Sequence, residues 1–291
     1  MGLTLDVRPR VEGGSFGSGA PLIGDGGSSL PVPAHRQVVG RTAVQLLLLA
    51  AVYALALGTR GGLAFDTRAI LDAESAKPWA AHWTVSTALH AVAAASFMAM
   101  GAAVVALRRG DADRLASGAL LVVGASATAQ LLQPALGNLG LVGAGSTHAL
   151  KASFPSGHAA TTLALGLAVV QSVPPAWRPP ACAFAVMCST ALGTGLLALG
   201  WHYPSDVVAG FLIAGAWAAA TTSPAAARLR RPGGAVLFVL ALAACGCFAV
   251  PAVAFTHLVD GRAPPPDFAA ATAAIGVAAA LVTALTGSSR R

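Results

Sequence analysis

The sequence predicts an all-α protein, a polytopic bundle of about eight transmembrane helices, with a six-helix core followed by two further C-terminal spans. Three observations carry this expectation. Charged residues make up 10% of the chain and hydrophobic ones 56%, whereas a soluble domain averages about 25% charged residues. A soluble fold needs a charged surface, and lipid around most of the surface removes that need. The apolar residues fall in runs near the length required to cross a bilayer, about 17–25 residues. Arginines collect at the ends of those runs, where topology signals sit.

In chain order, residues 1–40 are rich in Gly, Ser and Pro, contain no apolar run, and are expected to form a disordered tail. The first apolar run starts near Thr42 and is expected to be a retained span. The predicted spans lie near 42–59, 85–107, 115–135, 158–173, 180–200, 205–222, 234–256 and 268–286. Of these, 158–173 is short and must draw on its flanks. The expected organisation is therefore a tail over 1–40, a core over 41–222 and two additional helices over 223–291. The last two runs carry no internal charge and read as packing or assembly elements. The stretch Ala263-Pro264-Pro265-Pro266-Asp267 before the final run reads as a stiff connector.

Orientation follows from the basic residues. With the N-terminus inside, thirteen lie inside (Arg8, Arg10, Arg36 and Arg41, the 108–114 and 223–233 loops, Arg178 and the C-terminal pair). Five lie outside: Arg60, Arg68, Lys77, Lys151 and Arg262. Both termini are thus expected in the cytoplasm. The outer loops are then 60–84, 136–157, 201–204 and 257–267, with Trp79, Trp83 and Trp201 at the outer interface. Heavy use of Ala, Gly, Pro and Arg, with only Lys77 and Lys151 as lysines, suggests a bacterial plasma membrane. A net charge of +7 without an aromatic-basic patch argues against a nucleic-acid partner. Cys182, Cys188, Cys245 and Cys247 lie in apolar runs and read as buried free thiols. Cys245-Gly246-Cys247 lacks the further ligands of a zinc site.

Two constellations carry chemistry, and the topology assigns both to the outer side. The first is Phe154-Pro155-Ser156-Gly157-His158, at the start of the fourth span. Pro155 and Gly157 shape a turn, and Ser156 is a good N-cap. The helix that follows has unpaired N–H groups and a positive dipole end, which make a seat for an anion. His158, in the first turn, is placed to protonate a leaving oxygen. Taken alone, the string equally fits a plain helix start with an interfacial histidine. The second constellation is Gly200-Trp201-His202-Tyr203-Pro204-Ser205-Asp206. Pro204 suits the first position of a helix. Asp206 then comes within reach of His202, where a carboxylate on one ring nitrogen leaves the other free to attack. No Cys, His or carboxylate cluster has metal spacing, so neither a metal nor another cofactor is expected.

Together, Pro155-Ser156-Gly157-His158 and His202-Tyr203-Pro204-Ser205-Asp206, placed around the fourth to sixth spans, resemble the membrane branch of the type 2 phosphatidic-acid phosphatase superfamily over roughly residues 85–222. The resemblance implies a metal-independent hydrolase of lipid phosphates or diphosphates. It implies that His202 forms a phosphohistidine, that Asp206 orients it, and that His158 is the acid. It implies too that Ser156 and Gly157 help hold phosphate. The pattern also departs from the superfamily. Where the superfamily has Lys and Arg-Pro ahead of the first constellation, this chain has Ser126 and Gln133-Pro134. Where it has Ser-Arg ahead of the nucleophilic His, this chain has Gly195-Leu196. Three cationic phosphate ligands are missing, and such donors govern phosphoryl transfer. Lys151 is the expected substitute, with Arg60 and Arg68 as further cations. Gln130, Gln133 and Asn138 are neutral donors, or glue between helices.

The expected partners are membrane lipids, with a polyprenyl or phosphatidyl phosphate as substrate, and a homo-oligomer or cell-envelope complex as an open assembly. The alternative function is a catalytically impaired relative that binds lipid phosphate or acts as a scaffold. A transporter is the third reading, weakened by the absence of mid-span charges.

Overall fold

A computed structural model describes residues 34–75, 111–137, 153–221 and 266–287. Among these, seven α-helices are found: α1 (Ala34–Gly58), α2 (Arg60–Ser75), α3 (Ala112–Gly137), α4 (Gly157–Ser172), α5 (Arg178–Ala198), α6 (Pro204–Ala220) and α7 (Pro266–Gly287). No strand occurs among the described residues, in line with the all-α expectation. Four helices are long and apolar enough to cross a membrane, within α1, α3, α5 and α7; α6 is apolar but shorter. Several apolar helices of this kind make the chain consistent with a multi-pass membrane protein. The runs at 85–107 and 234–256 lie outside the described residues, so the expected count of eight spans is neither reached nor contradicted.

Burial sorts the helices into centre and rim. Of the apolar stretch of α5, 83% is inside the protein, against 6% for α1 and 22% for α3. Leu46, Leu47, Leu48 and Leu55 on α1, with Leu120, Val123 and Leu131 on α3, are exposed. In a helix with few charges, such leucines suit contact with lipid. The interior mixes alanines on α4, α6 and α7, which let backbones approach closely, with larger apolar side chains such as Leu163, Leu167, Phe211 and Ile275. Gly210 marks the tightest approach that matters for the site. A Cβ there would come to 2.5 Å from the Ser156 carbonyl oxygen and 2.9 Å from the Ala160 nitrogen.

Pairwise contacts set the direction of each helix. Along α3 and α4, Gly118 faces Ala168 while Gly157 faces Gln130, so the two run antiparallel. Ser126 and Thr161 meet between those points, their hydroxyls 2.7 Å apart. α4 and α6 run parallel, joined by Ser156 N–H to the Asp206 carbonyl at one end and Gln171 Nε2 to the Ala218 carbonyl at the other. α7 also runs parallel to α6, with Val282 against Gly215 and Ile275 near Gly193 and Val207. The C-terminal helix thus joins the main core through Ala271, Ile275, Ala279, Ala280 and Val282.

Two sequence expectations are corrected. Residues 34–40, expected to end the disordered tail, form the first turns of α1, which begins at Ala34 ahead of the apolar run near Thr42. Residues 60–75, expected to be outer loop, form the helix α2. Asp66, Ala69, Ile70 and Ala73 are all buried and recur at i, i+3, i+4 and i+7, one face of a helix. α2 lies against the N-terminus of α7: Arg68 Nε donates to Asp267 Oδ2 at 3.0 Å, and the Asp267 N–H donates to Asp72 Oδ2 at 3.0 Å.

Candidate active site

The ends of α2, α3 and α5 and the starts of α4, α6 and α7 gather at one end of the bundle, where both constellations lie. The chain arrives at α4 through Phe154 and Pro155, with a cis peptide bond between them. The Phe154 ring packs edge-on against Tyr53, with centroids 5.4 Å apart. Ser156 is the N-cap of α4, and its Oγ accepts from the Ala159 N–H at 3.3 Å. Ala160 N–H bonds the Ser156 carbonyl in the first regular turn. Among the described residues, no hydrogen bond at this helix start reaches the N–H of Gly157 or His158.

The second constellation is delivered by a tight stop. α5 ends in a Schellman motif, with the Gly200 N–H on the Leu197 carbonyl and the Trp201 N–H on the Leu196 carbonyl. Gly200 has φ 68°, a left-handed conformation that a side chain would oppose. Three residues later Pro204 opens α6, at the position where its missing N–H is not needed. The short connection leaves Trp201 exposed and His202 buried.

The two histidines face each other, with ring centroids 6.0 Å apart and planes at 63°. His158 is exposed and His202 is only 6% exposed. Trp201 flanks His158, with centroids 6.2 Å apart. Asp206, 1% exposed, brings Oδ2 to 3.5 Å from His202 Nδ1. That contact is an ion-pair approach and not a hydrogen bond, since His202 Nδ1 has no hydrogen-bond partner among the described residues. The same Oδ2 accepts from Ser153 Oγ and from the Tyr203 N–H at 2.9 Å. The orienting bond expected between Asp206 and His202 is thus not made here, because the carboxylate oxygen serves the helix cap and the incoming loop instead.

Of the residues read from the sequence, Ser156, Gly157, His158, His202 and Asp206 come together at this end. Lys151 lies outside the described residues, as do Asn138, Trp79 and Trp83. Arg68 is engaged with Asp267. Gln133 Nε2 donates to the Ser153 carbonyl at 3.2 Å, tying α3 to the loop that enters α4. Gln130 packs beside Gly157. Ser126, at the place of the superfamily Lys, bonds Thr161 one turn into α4.

One residue escaped the sequence reading. Asp66 on α2 is 3% exposed, and it accepts from Ser205 Oγ and from the Ser205 N–H at 3.3 Å. Burial pushes its carboxyl up to about 7; the Ser205 hydroxyl opposes that shift and the nearby Asp206 adds to it. Burial also raises the Tyr203 phenol, with Asp206 and Asp66 adding to the rise. The signal in the sequence was the buried stripe itself, in which an acid occupies a position shared with Ala69, Ile70 and Ala73.

These features define a class: a helical membrane bundle whose paired helix starts carry two facing histidines. Residues 124–230 match the family model of the PAP2 superfamily, and the match supports membership of the type 2 phosphatidic-acid phosphatase superfamily. The matched segment contains both constellations and runs from within α3 past the end of α6. Proteins of this superfamily are generally phosphatases, which supports a phosphoric-ester hydrolase at that level. A comparison with curated proteins found no match, and neither did a comparison with solved structures.

Proposed function

We propose that the protein is a metal-independent lipid phosphate or diphosphate phosphatase that works through a phosphohistidine on His202 at the outer membrane–water interface. The observation that carries this reading is the facing pair His158 and His202, with rings 6.0 Å apart, over the start of α4. In the first step His202 Nε2 attacks phosphorus, and the bond from phosphorus to the leaving oxygen breaks. His158 gives its proton to that oxygen, which belongs to a lipid alcohol or a lipid monophosphate. Water then attacks the phosphohistidine and passes a proton to His158, releasing phosphate and freeing His202. The N–H groups of Gly157 and His158, held in place by the Ser156 cap, bind the phosphoryl oxygens. Asp206 holds negative charge beside His202 Nδ1 and favours the ring that carries the phosphoryl group. Lys151, five residues before Ser156 in the sequence, is the proposed cation for the phosphoryl group. The substrate is a polyprenyl or phosphatidyl phosphate, whose chain lies along the exposed leucines of α1 and α3.

A second reading has its own support. Asp206 Oδ2 is shared between Ser153 and Tyr203, and His202 Nδ1 lacks a hydrogen bond. A seat kept for lipid phosphate with turnover lost fits that arrangement. One experiment separates the two: phosphate release from a panel of lipid phosphates and diphosphates in chelator, for wild type and His202→Ala. Turnover that vanishes in the variant supports the phosphatase. A folded wild type that binds these lipids and releases no phosphate supports the binding protein.

A further inference from the structure

The start of α6 is closed by the protein's own acids. Pro204 has no N–H to offer. The Ser205 N–H and Oγ are taken by Asp66, and the Asp206 N–H bonds the Tyr203 carbonyl at 3.1 Å. Tyr203 N–H goes to Asp206 Oδ2. The start of α4, packed beside it through Gly210, has no such closure. Asp66 reaches this place from α2, outside the matched segment 124–230.

We infer that Asp66 is a positioning residue, an internal anion that occupies the α6 N-terminus, confines substrate phosphate to the α4 N-terminus, and weakens the site for anions when it is ionised. This rests on the reading of the end as a phosphate site and deepens it. A helix start attracts anions through its unpaired N–H groups and dipole. With two such starts side by side, a phosphate has two competing seats, and only the one beside His158 and His202 is productive. A carboxylate at α6 removes the unproductive seat. It also sets a negative charge near the productive one, and its ionisation lies where function is measured, since its carboxyl is pushed up to about 7.

The groups that face Asp66 and its surroundings are few among the described residues. From α6 come Ser205 and Asp206, and from the connection before it Tyr203. On α2 itself, Arg68 and Asp72 turn to Asp267 of α7.

The test is binding of sulfate, whose charge is constant from pH 5.5 to 8.5, by isothermal titration to the detergent-solubilised full chain. The readout is the difference between wild type and variant at each pH, so any pH effect common to both proteins cancels. Asp66→Asn removes the charge, keeps one oxygen to accept from Ser205, and offers an amide N–H that the Ser205 hydroxyl can accept. The variant is expected to match wild type near pH 5.5 and to bind sulfate more tightly at pH 8.5, by on the order of tenfold or more, because a like charge close to a divalent anion is removed. Ser205→Ala keeps the charge but removes a donor that favours ionisation, so the pH at which wild-type-like weakening sets in should move upward. Parallel curves for wild type and Asp66→Asn, or no sulfate binding by any folded protein, would overturn the inference. Sulfate curves that behave as expected with no phosphate release from any lipid would leave Asp66 in this role and remove only the phosphatase reading.

Discussion

The starts of α4 and α6 lie side by side, and they are finished in opposite ways. At α4 a single Ser156 hydroxyl caps one N–H, and the first two donors have no hydrogen-bond partner among the described residues. At α6 proline, Asp66 and Asp206 leave no first-turn donor open. The lesson is that a helix start is a seat for anions only when the chain has not already supplied one. In this protein the open start carries the proposed acid, and the closed start is held by Asp206 and by Asp66 of α2, beside the loop that carries the proposed nucleophile.

The comparison breaks most severely if the open start loses its histidine. His158→Ala should lower turnover by about 10²–10⁴-fold on lipid phosphates. The loss should shrink for an aryl phosphate, whose leaving oxygen needs no proton. Equal losses on both substrates would remove His158 from the acid role.

The next effect is on the spacing between the two starts. Gly210→Val forces side-chain carbon toward the Ser156 carbonyl and Ala160 nitrogen. Overpacking of this kind costs about 1–3 kcal/mol. Thermal unfolding in detergent should fall accordingly, together with activity. An unchanged melting temperature would mean that the helices separate freely.

Asp66 sharpens the contrast through pH. Its carboxyl is raised from 3.8 to about 7, so the folded protein holds a proton that the unfolded chain has released. Its contribution to stability is fully present below pH 3.8 and is lost as pH rises to about 7. The full swing is a few kcal/mol, at about 1.4 kcal/mol per unit. Asp66→Asn should flatten the fall of melting temperature between pH 5 and 8. A variant that tracks wild type across that range would show that Asp66 does not carry the dependence.

The smallest effect is at the cap. Ser156→Ala should destabilise the start of α4 by about 1 kcal/mol and weaken sulfate binding modestly, whereas Ser205→Ala should not weaken it. Sulfate binding that falls more in Ser205→Ala than in Ser156→Ala would reverse the assignment of open and closed starts.

Much of this was legible from residue types. Pro155, Ser156 and Gly157 announced a capped helix start, and Pro204 announced another, because proline and N-cap chemistry are local. The placement of both constellations at one end followed from alternating spans. α2 was hidden because Arg60, Gly61, Gly62, Asp66, Arg68 and Asp72 make 60–75 look like a polar loop, while its buried stripe is only one residue in four wide. The bond pattern around Asp206 was not legible either. Spacing put the carboxylate near His202 but could not weigh that ring against Ser153, which is distant in sequence, and the Tyr203 N–H.

The central claim is the phosphohistidine on His202, and its most direct test is to capture it. Full-length protein would be mixed with a ³²P-labelled lipid phosphate in chelator, quenched in base, where phosphohistidine survives, and mapped by peptide mass spectrometry. Label is expected on the peptide containing His202, lost in acid and absent in His202→Ala. Phosphate release that proceeds with no label on His202, or label that persists in His202→Ala, would contradict it.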